Sequence, residues 1–301
     1  MKVRSHLFFV LAIYCVRSAA AADFQLDTAK IDEAAGAKGT LNASEGVFKV
    51  TYPRADVKVS VDGATLPPFM GLTSWAAFMP GTSKQAMVMG DMVLFQDEVN
   101  PAMSVALENG LAVTALHNHF FFDEPKVYFM HIGGEGEAVE LAAAVKKIQD
   151  KVKETRAASP TPGKGFGLKS LAAKSSITPA EIETNLGKGQ AKDGMYKVVI
   201  GRSTKMPCGC TVGKEMGVNT WAAFYGTDDH ALVDGDFAVF EGELQGALKS
   251  LRGSGINIVA IHSHMEGESP KVLFLHYWGV GPAADLAKAV RMATGTLDGK
   301  E

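Results

Sequence analysis

The chain is written twice, and this constrains its fold more than any other feature. Placing residues 117–148 over 262–293, a shift of 145, aligns His117 with His262, His119 with His264 and Pro125 with Pro270. Lys126/Lys271, Val127/Val272, Phe129/Phe274, His131/His276, Gly134/Gly279, Gly136/Gly281 and Leu141/Leu286 follow in step. Upstream, Met70–Phe78 (MGLTSWAAF) faces Met216–Phe224 (MGVNTWAAF), and Ala86–Asp91 (AMVMGD) faces Ala231–Asp236 (ALVDGD). Co-linear identities over such a span mean two copies of one folding unit of about 125 residues.

Outside the copies lie two segments of different character. Residues 1–22 carry Lys2 and Arg4, then an apolar stretch at 7–16, then Ala20-Ala21-Ala22. Ten apolar residues fall short of the roughly 20 a spanning helix needs, and the basic start and A-x-A end are those of a secretory signal peptide. Tyr14 before Cys15 is not a lipoprotein signal. The expected product is secreted or periplasmic, with no stable membrane anchor once the leader is cut. Cleavage removes Lys2, Arg4 and Arg17 and no acid, taking the net charge from −3 to −6, which argues against nucleic-acid binding. The second segment, rich in Pro160, Pro162, Gly163, Gly165 and Gly167, is a linker. The expected layout is signal peptide 1–22, first repeat 23–155, linker 156–176 and second repeat 177–301.

Within a copy, Val47–Tyr52, Val57–Val61, Trp75–Met79 and Met87–Phe95 read as strands, and Pro101–Glu108 as a short helix closed by Asn109-Gly110. Leu111–Phe122 and Lys126–Ile132 form a hairpin around Asp123-Glu124-Pro125. Leu141, Val145, Ile148 and Val152 then mark one face of a helix. The second copy opens on Thr178-Pro179-Ala180-Glu181, a capping box with proline at the first helical position. These elements predict an α+β fold: a tandem duplication of a mainly antiparallel sheet, helices packed on one face, the two units paired about a pseudo-two-fold axis.

Of eight histidines, six fall in the two hairpins. Residues i and i+2 of a strand share a face, so His117 and His119 point together; an even pairing register returns His131 beside them. His262, His264 and His276 repeat the pattern. Buried imidazoles require partners, and three histidines with a nearby carboxylate can hold zinc or copper. Glu268 is the expected fourth ligand in the second copy, and Glu266 or Glu268 the candidate general base of a metal-dependent hydrolase. The first copy's trio, His117, His119 and His131, together with Cys208 and Cys210, are candidate ligand-binding residues. The two cysteines could hold a soft metal or close a small disulfide ring around Gly209. The second copy is expected to carry the more polar working site. Trp75, Trp221 and the methionines Met87, Met89 and Met92 are read as strand core. No G-x-S-x-G, phosphate loop, H-E-x-x-H or dinucleotide fingerprint occurs, so no nucleotide cofactor is expected.

At Ala115–Phe122 (ALHNHFFF), Pro125–Gly134 (PKVYFMHIGG), Cys208–Cys210 (CGC), Met216–Phe224 and Phe274–Pro282 (FLHYWGVGP) the chain resembles the LppY/LpqO family of exported bacterial proteins. The resemblance implies export and a duplicated domain of unknown function. Some members of that family look like lipoproteins, a feature this chain lacks. His262-x-His264 followed by Glu268 also resembles the cupin metal motif, but the flanking glycines do not align and the helix after the hairpin does not suit a barrel. The expected function is an exported protein binding a divalent metal or small polar ligand at a His-rich site. The alternatives are a metal-dependent hydrolase of the cell envelope and a non-catalytic interaction module whose histidines brace the two copies.

Overall fold

A computed structural model describes residues 25–81 and 85–297. The leader expected at 1–22 lies outside the described residues. Strands of the main sheet are numbered alone. The first half contributes β1 (Gly39–Asn42), β2 (Val47–Pro53), β3 (Thr73–Pro80), β4 (Ala86–Phe95), β5 (Ala112–His117) and β6 (Val127–Gly136). The second contributes β7 (Gln190–Lys192), β8 (Met195–Gly201), β9 (Asn219–Gly226), β10 (Ala231–Phe240), β11 (Asn257–His262) and β12 (Val272–Gly281). Helices α1 (Thr28–Ala35), α2 (Gln96–Glu108) and α3 (Ala138–Ala158) belong to the first half, and α4 (Pro179–Leu186), α5 (Leu244–Gly253) and α6 (Ala283–Thr294) to the second.

The two halves share one sheet. Its order is β1-β2-β3-β4-β6-β5-β11-β12-β10-β9-β8-β7, antiparallel throughout. The expected α+β tandem is borne out, and its pseudo-two-fold axis passes between β5 and β11. In each half the fourth and fifth strands run the same way with the sixth between them. Such a parallel pair needs a crossover, which α2 and α5 supply.

The helices share one side of the sheet because strand alternation makes only one face continuously apolar. Phe48, Val50, Ala76, Phe78, Val88, Met92, Leu94, Met130 and Ile132 meet the helices, and this core runs unbroken into Val198, Phe224, Val233, Phe237, Leu275 and Tyr277 of the second half. Gly235 is glycine for a local reason: a Cβ there would stand 2.4 Å from the Tyr277 hydroxyl, which donates to the Trp221 carbonyl.

β5 and β11 pair at Leu116↔Ile261. Each carries a bulge just before this point, between Val113 and Ala115 and between Ile258 and Ala260. Side-chain amides replace strand pairing there, reciprocally. Asn100 of α2 accepts the Ile258 N–H at 2.9 Å and donates to the Ile258 carbonyl at 3.3 Å. Gln245 of α5 does the same for Val113, both at 2.9 Å. Each half thus satisfies the exposed backbone of the other.

Several local expectations are corrected. α2 starts at Gln96, and Pro101 lies inside it; the start is set by Glu98, whose Oε2 accepts the Phe95 N–H at 2.8 Å. Among the described residues each half has three α-helices; α1 is the one not expected, while its counterpart α4 opens where the capping segment predicts a helix. Thr178 makes no side-chain cap bond, though Pro179 does occupy the first turn. The segment 57–61 yields a strand only at Val59–Val61, in a small ribbon with Ala64–Leu66 and Asp123–Glu124.

Candidate functional site

The face of the sheet opposite the helices carries the polar chemistry. Directly opposed residues in antiparallel strands share a face. The registers Thr51↔Trp75, Trp75↔Asp91, Asp91↔His131 and His131↔Ala115 therefore lay Trp75, Asp91 and His131 side by side on it. The second half repeats the row as Val199, Trp221, Asp236, His276 and Ala260. His117 opposes Phe129, two residues before His131, so the even register is the observed one.

β5 stops at His117 and β11 at His262, so alternation along a strand does not place His119 or His264. Both lie beyond the strand end and fold back as lids on an aromatic ring. His119 stacks on Phe129 with centroids 3.4 Å apart and His264 on Phe274 at 3.5 Å. Three rings therefore gather on the open face in each half. In the first, the Nε2 atoms of His117 and His131 are 3.0 Å apart. In the second, those of His262 and His264 are 3.0 Å apart, with His276 stacked on His262 at a centroid distance of 4.8 Å. A spacing of 3.0 Å fits a hydrogen bond with the proton on one ring. It is also close to the roughly 3.3 Å that separates two nitrogens on one tetrahedral metal.

The carboxylate beside the rings is not the one expected. Glu268 is buried, with Oε1 accepting the Val272 N–H at 3.0 Å, and its counterpart Asp123 accepts the Val127 N–H at 2.7 Å. Both hold the hairpin turn, next to the cis peptide bonds before Pro270 and Pro125. Glu266 is exposed on that turn. The acid facing the rings is Asp236, whose Oδ2 lies 3.8 Å from His264 Nε2, and Asp91 holds the matching place in the first half. The sequence signal is an aspartate directly after glycine at the same place in two apolar strand segments, Gly90-Asp91 and Gly235-Asp236.

These aspartates are 8% and 6% exposed, and each keeps a buried Oδ1 without a hydrogen-bond partner. Burial pushes both carboxyls up, against the pull of the neighbouring imidazoles. Burial, then repulsion from the other rings, pushes His262 down, and its Nδ1 is also unpartnered. His119 is pushed down by burial and by His117. Among the described residues, no three His, Cys, Asp or Glu side chains surround one point as a completed metal shell would. The rings stand stacked.

Trp75 and Trp221 correct the core expectation. Both are half-buried on the open face, beneath Lys49 Nζ at 4.2 Å and Lys197 Nζ at 4.1 Å from the ring centre. Met92 is core as expected, while Met89 is 55% exposed on the open face. Cys208 and Cys210 are joined as a disulfide at the tip of the ribbon Thr204–Lys205/Thr211–Val212, with Gly209 between them at φ +83°. Metals take thiolate, so the bond removes both sulfurs from the ligand pool.

Fold and site together define a tandem α+β protein with one cluster of three histidines and an aspartate per half on the sheet face opposite the helices. Residues 29–151 and 180–296 match the family described as Domain of Unknown Function (DUF1259), and the chain belongs to it. No curated protein matches the chain. A trimeric bacterial microcompartment shell protein, PduB, aligns over 85% of this chain and 88% of its own at 12% identity, with a TM-score of 0.20, too low to carry any argument. Among the described residues, no helix is long and apolar enough to cross a membrane.

Proposed function

We propose that this is an exported protein of the LppY/LpqO type that binds a divalent transition metal, zinc or copper, at one His₃Asp cluster in each repeat. One observation carries the reading. The set Lys–Trp–Asp–His₃–Phe stands at matching positions in both halves, although neighbours on the same face have diverged, Met89 to Asp234 and Gly133 to Trp278. The phenylalanines are buried and pack, but His119, His264 and His276 are exposed on this face, so packing does not account for the repeated histidines. Imidazole nitrogen with one carboxylate oxygen suits zinc or copper. The unpartnered Oδ1 atoms and His262 Nδ1 supply buried polar groups that a metal or an ordered ligand shell would satisfy. The ligands are His117, His119, His131 and Asp91 in one half, and His262, His264, His276 and Asp236 in the other. The hydrolase alternative asks for a free base at Glu266 or Glu268; Glu268 is committed to the hairpin, which favours a binder.

Metal analysis of the full chain, purified without an affinity tag, tests this. The expected result is up to two equivalents of zinc or copper, with Asp91→Asn and Asp236→Asn each removing one. A chain carrying only trace metal, whose melting temperature ignores added zinc and copper, refutes it.

A further inference from the structure

The linker straps a cavity at the seam between the halves, and no histidine lines it. The strap's first anchor is Asp97 at the start of α2, whose Oδ2 accepts the Gly163 N–H at 2.9 Å and also pairs with Arg156. Its second anchor is on the other half. There the Tyr225 hydroxyl donates to the Ala172 and Ala173 carbonyls at 3.0 and 3.1 Å, and His230 Nε2 stands 3.1 Å from the Lys169 carbonyl. Between the anchors, residues 164–168 pass over a cavity of about 500 Å³. Its floor is Val99, Tyr128, Ile258 and Val259. Phe166 of the strap leans on Trp278 with ring centroids 5.7 Å apart, yet Phe166 and Leu168 remain 48% and 50% exposed.

The fold does not need the side chains that shape this cavity. Trp278 pairs with Asn257 as Gly133 pairs with Ala112, so glycine stands in the tryptophan's place in the first half. Likewise Gly242 answers to Asp97 and Leu273 to Tyr128. The charges around the cavity are also unbalanced. Asp97 is matched by Arg156, whereas Lys164, on the cavity wall, forms no ion pair among the described residues.

We propose that the cavity binds a small aromatic carboxylate, its flat ring held between strap and floor against Phe166 and Trp278 and its carboxylate paired with Lys164. Cavities of this size, mostly apolar with a few polar groups and set at an interface between folded units, are the ordinary form of a small-molecule site. Three of the walls are themselves aromatic, and such rings favour the offset and edge-on contacts that a flat ligand makes with several of them at once. A bound ring would also take the exposed faces of Phe166 and Leu168 out of water. The site uses none of the clustered histidines, so it stands or falls independently of the metal reading.

Cinnamate and its uncharged counterpart cinnamamide, titrated calorimetrically into the full chain in the presence of a chelator, test this. Cinnamate is expected to saturate at one per chain and to bind about fivefold more tightly than cinnamamide, the increment of one partly exposed ion pair. Lys164→Met is expected to erase that difference. Trp278→Gly, which installs the residue of the first half, is expected to weaken both compounds by about tenfold or more. Phe166→Ser on the exposed strap is expected to act in the same direction, should the change in the strand disturb folding. Absence of saturable binding, equal affinity for the two compounds, or cinnamate affinity unchanged by Trp278→Gly and by Phe166→Ser overturns the proposal, whatever the metal content of the chain.

Discussion

Replacing Glu98 with alanine should be among the most damaging single changes away from the open face. Glu98 is fully buried at the start of α2 and receives Arg54 through Nη1 at 2.8 Å and Nη2 at 3.0 Å. Arg156 Nε also lies 2.8 Å from Oε1, without hydrogen-bond geometry. Arg54 is itself 6% exposed and sits over Phe95 at 4.5 Å. Burial alone would lower its affinity for the proton; its hydrogen bonds to the Asp56 and Glu98 carboxylates more than restore it. Removing one partner of a buried pair costs about 3–5 kcal/mol, because the other charge stays buried. Loss of the Phe95 N–H acceptor adds about 1 kcal/mol. Asp56, which accepts Arg54 Nε and Nη2 at 2.9 Å, offsets part of this. The net expectation for Glu98→Ala is about 3–4 kcal/mol, or roughly 6–15 °C in melting temperature. Urea unfolding followed by circular dichroism measures it, and Glu98→Gln should fall between variant and parent. A loss below about 1 kcal/mol at unchanged m-value would refute the argument that this pair anchors the helix layer to the sheet.

Other outcomes follow from the same geometry. Asn100→Ala should cost about 1–3 kcal/mol by stranding the Ile258 N–H and carbonyl, and Gln245→Ala the same at Val113, both measurable by urea midpoint. Glu268→Ala should destabilise by about 1.5–3 kcal/mol yet leave metal content unchanged, since its oxygen serves the hairpin. His262 has a depressed proton affinity when folded, so below the ordinary histidine pKa of about 6.5 the unfolded chain binds more protons. Metal-free protein should therefore lose melting temperature as pH falls through and below 6.5, and His262→Asn should remove part of that slope. Asp236 has the opposite sign. Its raised pKa makes the folded metal-free chain bind more protons above about 3.9, so ionisation costs stability as pH rises. Asp236→Asn should melt higher than the parent at pH 7 when both are metal-free.

The duplication and the hairpin histidines were legible because they are written as identities and as a two-residue period. The merger into one sheet was not, since nothing in the pattern of β5 or β11 distinguishes an edge strand from one that finds its own copy. α2 was misplaced because Pro101 imitates a first-turn proline while the true signal, Glu98 reaching back to Phe95, looks like an ordinary surface acid. His119 reached the correct neighbourhood by another route: it stacks on Phe129 after the strand has ended. Asp91 and Asp236 are not legible as site residues, because an aspartate in an apolar strand run reads as a solvent-facing residue. Only the cross-strand register shows that the residue beside it is histidine.

The amide exchange at the centre of the sheet bears on how such a chain could have begun. Asn100 and Gln245 stand at equivalent positions, and each clasps the strand of the opposite half. A contact in which patch i meets j and j meets i is the isologous kind, the geometry of a homodimer. An ancestor with one repeat, an amide on its crossover helix and a bare central strand would have been self-complementary, closing as a C2 pair. Fusion of its gene to itself would have made that association intramolecular and freed each half to drift, as Met89 and Asp234 have.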